Sequence, residues 1–225
     1  EIVPRDWSSD VCSSDLYQGE EDVQRYADYS DMMLMLVKQW RMDWNDWNLP
    51  FLFVQLPMYL ADGEKDDSYW ALQREQQYIA SMMIQNTGMI SLADCGEYDN
   101  IHPLDKKTPG ERLFQLAKNL VYDKQGTITA TAAQLFSDNG KLYVTFDHLH
   151  EKLVMQTANG CPFEISGEDN LFYPAKADVI HGNMLCISNP AVKFPSAVKY
   201  AWYNFGEAAL FTESGNPVSP FFKCV

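Results

Sequence analysis

The sequence has little positive charge. Of its 225 residues, 17 are Lys or Arg and 31 are Asp or Glu, so the formal net charge is -14 and the isoelectric point is about 4.5. A protein that binds nucleic acid needs a basic face that displaces counterions from phosphates. The charge balance therefore argues against a nucleic-acid partner, and otherwise it reports on solubility rather than on fold.

Long apolar runs are also missing. A helix that spans a membrane needs about 18–20 consecutive apolar residues, whereas a typical apolar run here, residues 51–56, has the length of a buried strand. The N-terminus lacks the basic start and apolar stretch of a signal peptide. These absences predict no membrane partner.

Cysteine is sparse and unpaired in sequence. None of the five cysteines belongs to a C-x-x-C pair, which argues against a structural zinc site. We interpret them as mostly small buried apolar residues, with a disulfide left open. They are Cys12, Cys95, Cys161, Cys186 and Cys224.

The first sixteen residues differ in style from the rest. They repeat Ser-Ser-Asp-like triplets without helical or strand periodicity, and they read like an in-frame translation of a common DNA-sequencing adapter. We therefore expect residues 1–16 to be a sequencing artefact, disordered, joined to a truncated gene; a natural disordered linker is the alternative.

Residues 17–126 alternate between helical and strand patterns. A helical stretch carries an apolar stripe at Met33, Leu36, Val37 and Trp40, and it ends before the strand at 51–56. A second helix from Tyr69 has one side formed by Leu72, Gln76, Ile79 and Met83. A strand at 89–93 and a third helix, opened by a Thr108 capping box, complete a parallel α/β sandwich.

After residue 126 short strands replace the helices. We predict strands at 141–146, 161–165, 175–180, 184–187 and 196–203, with His181-Gly182-Asn183 as a hairpin turn and a coil at the C-terminus. Residues 127–225 are therefore expected to form a separate all-β, sandwich-like domain.

Asp99 and His102 are the candidate catalytic pair. They lie in a loop after a strand, and in an open α/β sheet reactive groups collect at the carboxyl ends of strands. An Asp three residues before a His can bind the Nδ1–H of the ring and leave Nε2 free as a base. The pair alone also fits a solvated surface histidine, so it needs context.

The context is a resemblance to the sialate O-acetylesterases, a carbohydrate esterase family within the SGNH hydrolases. Motifs in matching order and spacing carry it across nearly the whole chain after Leu16. They lie at residues 17–20, 38–41, 49–56, 70–76, 87–89, 94–103 and 110–113, and at 163–167, 197–202 and 217–221.

The resemblance implies a Ser-His-Asp mechanism on a three-layer α/β/α domain of SGNH (flavodoxin-like) type. His102 corresponds to the general base and Asp99 to the residue that orients it. Gln18 and Gly19 match the block that helps to form the oxyanion hole. The family's Gly-Gln-Ser-type nucleophile block has no counterpart in this sequence, so we expect a C-terminal fragment that lacks its serine and is inactive alone.

Three readings of function remain open. The first is removal of acetyl groups from sialic acid, the second is the same chemistry on acetylated xylan or another glycan, and the third is a non-catalytic fragment with a supporting or sugar-binding β domain. The resemblance implies an exported protein, secreted or periplasmic, and no metal or organic cofactor. Arg74 and Arg112 could anchor a carboxylate and Trp70 could stack on a sugar, but salt bridges and core packing are the favoured alternatives.

Overall fold

A computed structural model of the chain describes residues 14–225. None of the helices in this part of the chain is long and apolar enough to cross a bilayer. A 3₁₀ helix (Glu20–Asp28) leads into α1 (Tyr29–Asp43), and α2 (Tyr69–Met83) and α3 (Lys107–Leu120) follow. The strands are β1 (Ser14–Leu16), β2 (Phe51–Gln55), β3 (Thr87–Ser91), β4 (Thr131–Asp138), β5 (Lys141–Asp147), β6 (Leu153–Met155), β7 (Phe163–Ser166), β8 (Tyr173–Pro174), β9 (Lys176–Ile180), β10 (Met184–Ser188), β11 (Ala197–Tyr200), β12 (Leu210–Thr212) and β13 (Phe221–Cys224).

The first region is a three-layer α/β/α sandwich. Strands β1, β2 and β3 form a parallel sheet in that order. Because successive side chains of a strand point to opposite faces, Phe51 and Phe53 pack against α1 and α2, whereas Leu52 and Val54 pack against α3. The α/β architecture expected from the alternating pattern is confirmed.

Strand β1 departs from the expectation for the first sixteen residues. We expected residues 1–16 to be disordered; residues 1–13 lie outside the described part of the chain, but Ser14–Leu16 pairs with β2. A parallel ladder is built from backbone N–H and C=O groups, so almost any sequence can supply it. Leu16 adds an apolar side chain to the cluster around Phe53 and Met89.

The second region is built from antiparallel sheets, as expected. One sheet has the order β4-β5-β10-β9 and another β13-β11-β7-β8, with a two-stranded sheet β12-β6. The two larger sheets share one apolar core, to which Leu142 and Leu185 contribute from the first and Ile165 and Val198 from the second. His181 adopts a positive φ of 53° at the predicted hairpin turn between β9 and β10.

Three local expectations differ from the structure. The C-terminus, predicted as coil, contains β13, which pairs with β11. The predicted Thr108 cap of α3 is not formed, and the side chain of Lys106, which precedes the helix, does not cap it either. Instead, the Asp105 carboxylate accepts hydrogen bonds from the backbone N–H groups of Lys107 and Thr108 at 3.0 and 3.1 Å. An ionised carboxylate is the stronger acceptor at a helix N-terminus.

The buried side of α2 is also not the one expected. Leu72 is only partly buried and Met83 is exposed, whereas the fully buried positions follow a different stripe. That stripe consists of Trp70, Ala71, Gln73, Arg74, Gln77 and Ala80. A polar helix face is therefore buried between the sheet and the rest of the molecule.

Candidate functional site

Three segments meet at one edge of the parallel sheet. Because the three strands run in the same direction, the residues that follow β1, β2 and β3 emerge at the same edge. These segments are residues 17–19, 56–60 and 92–105. The carboxyl edge of an open α/β sheet is where ligands bind in this architecture.

The Gln18–Gly19 turn is held by α1 and by its own 3₁₀ helix. The Gln18 side chain donates to Asp22 at 2.5 Å, and the Tyr29 hydroxyl donates to the Gln18 carbonyl oxygen at 3.1 Å. Gly19 has a φ of 139°, a conformation that side chains rarely allow. In this structure the Gln18 side-chain amide is therefore hydrogen-bonded within the protein, to Asp22 and Tyr29.

Gln77 connects this turn to the end of β2. Its side-chain nitrogen donates to the carbonyl oxygens of Gln18 and Val54 at 3.1 and 3.2 Å, and its side-chain oxygen accepts from the backbone N–H of Leu56 at 2.8 Å. A Cβ on Gly19 would lie 3.1 Å from the same nitrogen and 3.0 Å from that of Gln73. Sequence reasoning missed Gln77, because a glutamine on a helix carries no recognisable signal.

The loop after β3 is organised by Glu97. Its carboxylate accepts hydrogen bonds from the Asn100 side chain and from the backbone N–H of Leu104, both at 2.7 Å. The Leu104 bond and then the Asn100 bond hold the pKa of Glu97 below its usual range. Gly96 lets the loop approach β2, because a Cβ there would lie 2.0 Å from the carbonyl oxygen of Met58.

Asp99 and His102 both lie on this loop and are exposed. The Asp99 carboxylate accepts a hydrogen bond from the backbone N–H of Asp62 at 2.9 Å, and the His102 backbone N–H binds the Asn100 side chain at 3.1 Å. Across residues 14–225 no hydrogen bond joins the Asp99 carboxylate to the His102 ring. Catalytic hydrogen bonds are often long in unliganded enzymes, so the pairing stays a prediction.

Apolar packing brings the loop close to the Gln18–Gly19 turn. Ile101, which precedes His102, and Tyr17, which precedes Gln18, both pack against the apolar cluster of Val23, Leu56 and Trp70. The ammonium of Lys106 lies 5.1 Å from the centre of the Tyr17 ring, a cation–π contact. The loop that carries the predicted base and the turn that carries the predicted oxyanion block therefore pack against the same cluster, and Lys106 at the end of the loop contacts Tyr17.

The two arginines considered as carboxylate anchors are structural. Arg112 forms a bidentate ion pair with Asp94 at 2.7 and 2.6 Å and also donates to the carbonyl oxygen of Ser91. Arg74 is 1% exposed and donates to the carbonyl oxygens of Pro57 and Tyr203. Burial lowers the pKa of Arg74 to about 10, and Trp70 is likewise core, packed on Tyr59.

The fold and this edge define a class of protein. A parallel sheet covered by helices on both faces, with an Asp-x-x-His loop beside a Gln-Gly turn at its carboxyl edge, is the arrangement of an SGNH-like α/β hydrolase. The antiparallel region follows it in the chain.

Comparisons with known proteins identify the family. Residues 16–119 match the model of carbohydrate esterases described as sialic acid-specific acetylesterase. Sialate O-acetylesterase of Mus musculus is 27% identical over 235 residues, and that of Rattus norvegicus is 26% identical; each alignment covers 91% of this chain and 43% of the relative. Residues 16–119 therefore belong to the family of sialic acid-specific acetylesterases among the carbohydrate esterases, and the two rodent sialate O-acetylesterases align along most of this chain.

A solved structure agrees with this assignment. A carbohydrate acetylesterase from Xanthomonas citri superposes with a TM-score of 0.86 at 32% identity, over 94% of this chain and 50% of that protein. The chain thus spans about half the length of that protein and less than half that of the two rodent relatives. The likeness extends through both regions of the fold.

Proposed function

We propose that this chain carries the base-and-oxyanion half of a carbohydrate O-acetylesterase that removes acetyl groups from sialic acid. The observation that carries the proposal is the packing of Ile101 and Tyr17 against one apolar cluster, with Lys106 over the Tyr17 ring, which sets the Asp99–His102 loop near the Gln18–Gly19 turn. Membership of the acetylesterase family supports the reaction class.

In the proposed reaction His102 acts as general base. A ring nitrogen of His102 accepts the proton of a serine hydroxyl while the serine oxygen attacks the acetyl carbonyl. Asp99 orients the imidazole and stabilises its protonated form. The proton then passes to the departing sugar oxygen, and an acetyl-serine remains. Water, deprotonated by His102, releases acetate and regenerates the serine.

The oxyanion would be stabilised from the Gln18–Gly19 turn. Each preorganised donor of this kind typically contributes about 2.7–4 kcal/mol to the transition state. For the Gln18 side chain to serve as such a donor, its bond to Asp22 has to be exchanged for one to the substrate. Gln77 and Tyr29 fix the Gln18 backbone while the side chain changes partner.

The nucleophile is proposed to come from sequence that this chain does not contain. The described serines lie in other surroundings: Ser30 binds Gln76, Ser81 binds a carbonyl of its own helix, and Ser219 binds Gln55. A serine block that precedes residue 17 would approach the carboxyl edge beside β1. This chain alone is then inactive, and the complete enzyme is exported, secreted or periplasmic.

The substrate has a second candidate. The Xanthomonas citri structure is described as a carbohydrate acetylesterase, a wider class than sialic acid esters. Acetylated xylan or another glycan therefore stays an alternative substrate for the same chemistry. The internal ion pair of Arg112 and the burial of Arg74 remove two conceivable anchors for the carboxylate of sialic acid, which keeps this alternative open.

A paired activity assay tests the proposal. We would measure hydrolysis of p-nitrophenyl acetate, acetylated sialic acid and acetylated xylan by this chain and by a form extended with its upstream coding sequence. We expect turnover only in the extended form, and a loss of at least about 10³-fold in its His102→Ala variant. His181→Ala, at the hairpin turn of the β region, is the matched control and should keep full activity.

Four outcomes would contradict parts of the proposal. Turnover by the short chain that disappears in His102→Ala would overturn the absent nucleophile. Unchanged activity of the extended His102→Ala variant would exclude His102 as the base. An extended form that cleaves only acetylated xylan would replace the substrate, and no turnover in either form would leave a non-catalytic role.

A further inference from the structure

A separate cavity lies where α2 meets the β region, away from the Asp99–His102 loop. Its volume is about 240 Å³, and its walls come from the outer face of α2, from β4, from β13 and from Trp202. The chemically important lining residues are Glu75, Tyr78, Thr131, Trp202, Phe222 and Lys223. None of the residues assigned to the proposed reaction lines this cavity.

The two charged side chains in this cavity are those of Glu75 and Lys223. Across residues 14–225 no ion pair joins Glu75 to Lys223, and no hydrogen bond engages either charged head group. Lys223 instead lies over the Tyr78 ring, 5.3 Å from its centre. Burial raises the pKa of the Glu75 carboxyl, opposed by the charge of Lys223. A half-buried acid and base that form no hydrogen bond or ion pair with the described residues are groups that a ligand can satisfy.

Aromatic rings supply the rest of the walls. Trp202 and Phe222 lie with ring centres 5.7 Å apart, tilted against each other at the cavity. A pyranose ring matches this combination, because its C–H face packs on aromatic rings while its hydroxyls donate to a carboxylate and accept from an ammonium. Since one acidic and one basic group oppose each other, and the chain carries a net charge of -14, a neutral sugar is favoured over an anionic one.

We propose that this cavity is a binding subsite for a neutral pyranose unit of a glycan, held between Glu75, Lys223 and Trp202. The subsite goes beyond the proposed function and does not depend on it, since binding needs neither an acetyl group nor a nucleophile. It would hold a sugar of the glycan chain at a point distinct from the ester.

Nuclear magnetic resonance of the chain in the presence of galactose tests the subsite. We expect a saturable shift of the Trp202 indole N–H signal, assigned with Trp202→Phe. Glu75→Ala and Lys223→Met should each weaken the affinity about tenfold, the loss of a hydrogen bond to a charged group. Lys176→Met is the control, because Lys176 lies on β9, at the far edge of the sheet that contains β4, and pairs with Asp178 outside the cavity lining. The affinity of this variant should change less than about twofold.

Contrary results are equally clear. The absence of a saturable Trp202 shift in the unsubstituted chain would overturn the subsite, whatever the variants do. Tighter binding of N-acetylneuraminic acid than of galactose would overturn its preference for neutral sugars. An equal loss in Lys176→Met would mean that the affinity does not depend on this cavity. Activity assays enter none of these readouts, so failure here is distinguishable from failure of the proposed esterase function.

Discussion

The two regions of this molecule bury different kinds of side chain. The β region has one continuous apolar core shared by its two larger sheets. The α/β region has three smaller apolar clusters, and between them it buries Arg41, Gln55, Gln73, Arg74 and Gln77. Apolar burial is non-directional, whereas buried polar groups must find partners of defined geometry.

The two kinds of burial give the two regions different roles at the carboxyl edge of the parallel sheet. In the α/β region the buried amide of Gln77 binds backbone atoms of two segments that meet at the carboxyl edge, at Gln18 and Leu56, so it fixes where those segments lie. Met58 and Ala93, which belong to two of those segments, enter the core of the β region. The β region therefore supports the carboxyl edge of the sheet by apolar packing, and the α/β region shapes that edge by hydrogen bonds.

The largest expected effect comes from removing the Arg74 guanidinium, which binds backbone atoms of both the α/β region and the β region. Arg74→Ala should lower the free energy of unfolding by about 3–5 kcal/mol, because it leaves a cavity and two buried carbonyl oxygens without donors, those of Pro57 and Tyr203. Urea denaturation measures the change. The control is Arg25→Ala, whose exposed ion pair with Asp22 should contribute less than about 1 kcal/mol. A loss below about 1 kcal/mol in Arg74→Ala would mean that this link is dispensable.

A matched pair of glutamines sharpens the comparison within one helix. Gln77→Leu should lower the free energy of unfolding by about 2–4 kcal/mol, because it leaves the buried Leu56 N–H without this acceptor and removes a donor from the Gln18 and Val54 carbonyl oxygens. Gln73 lies one turn earlier and is equally buried, but its amide atoms have no hydrogen-bond partner among the described residues. Gln73→Leu should therefore be neutral or stabilising by about 1 kcal/mol. Equal losses, measured by thermal unfolding, would contradict the assigned roles.

The smallest expected effect is a pH dependence confined to the site loop. The folded-state pKa of Glu97 is depressed from 4.5, so its stabilising contribution is present above that value and is lost as the pH falls through the folded pKa. Amide hydrogen exchange of Leu104, whose N–H binds Glu97, should speed up on acidification below about pH 4.5, relative to Leu185 in the β core. In Glu97→Gln the dependence should disappear; if it persisted, another group would be responsible.

The sequence alone determined the order of layers and the location of the candidate site. Apolar periodicity at Met33 and Val37 and the run at Phe53 fixed a helix and a buried strand, because burial of apolar surface depends on residue type and spacing alone. The alternation of such elements predicted the parallel sheet, and the position of Asp99 and His102 after a strand predicted their edge.

Only the tertiary structure decided which polar side chains are internal. Gln77 and Arg74 lie on the buried face of α2, although the sequence favoured the side that carries Leu72, because a polar residue reveals its burial only through distant partners such as Tyr203. For the same reason the strands β1 and β13 escaped prediction, since a neighbouring strand supplied their hydrogen bonds. Hydrogen bonds between residues far apart in the chain leave no local pattern, whereas apolar faces do.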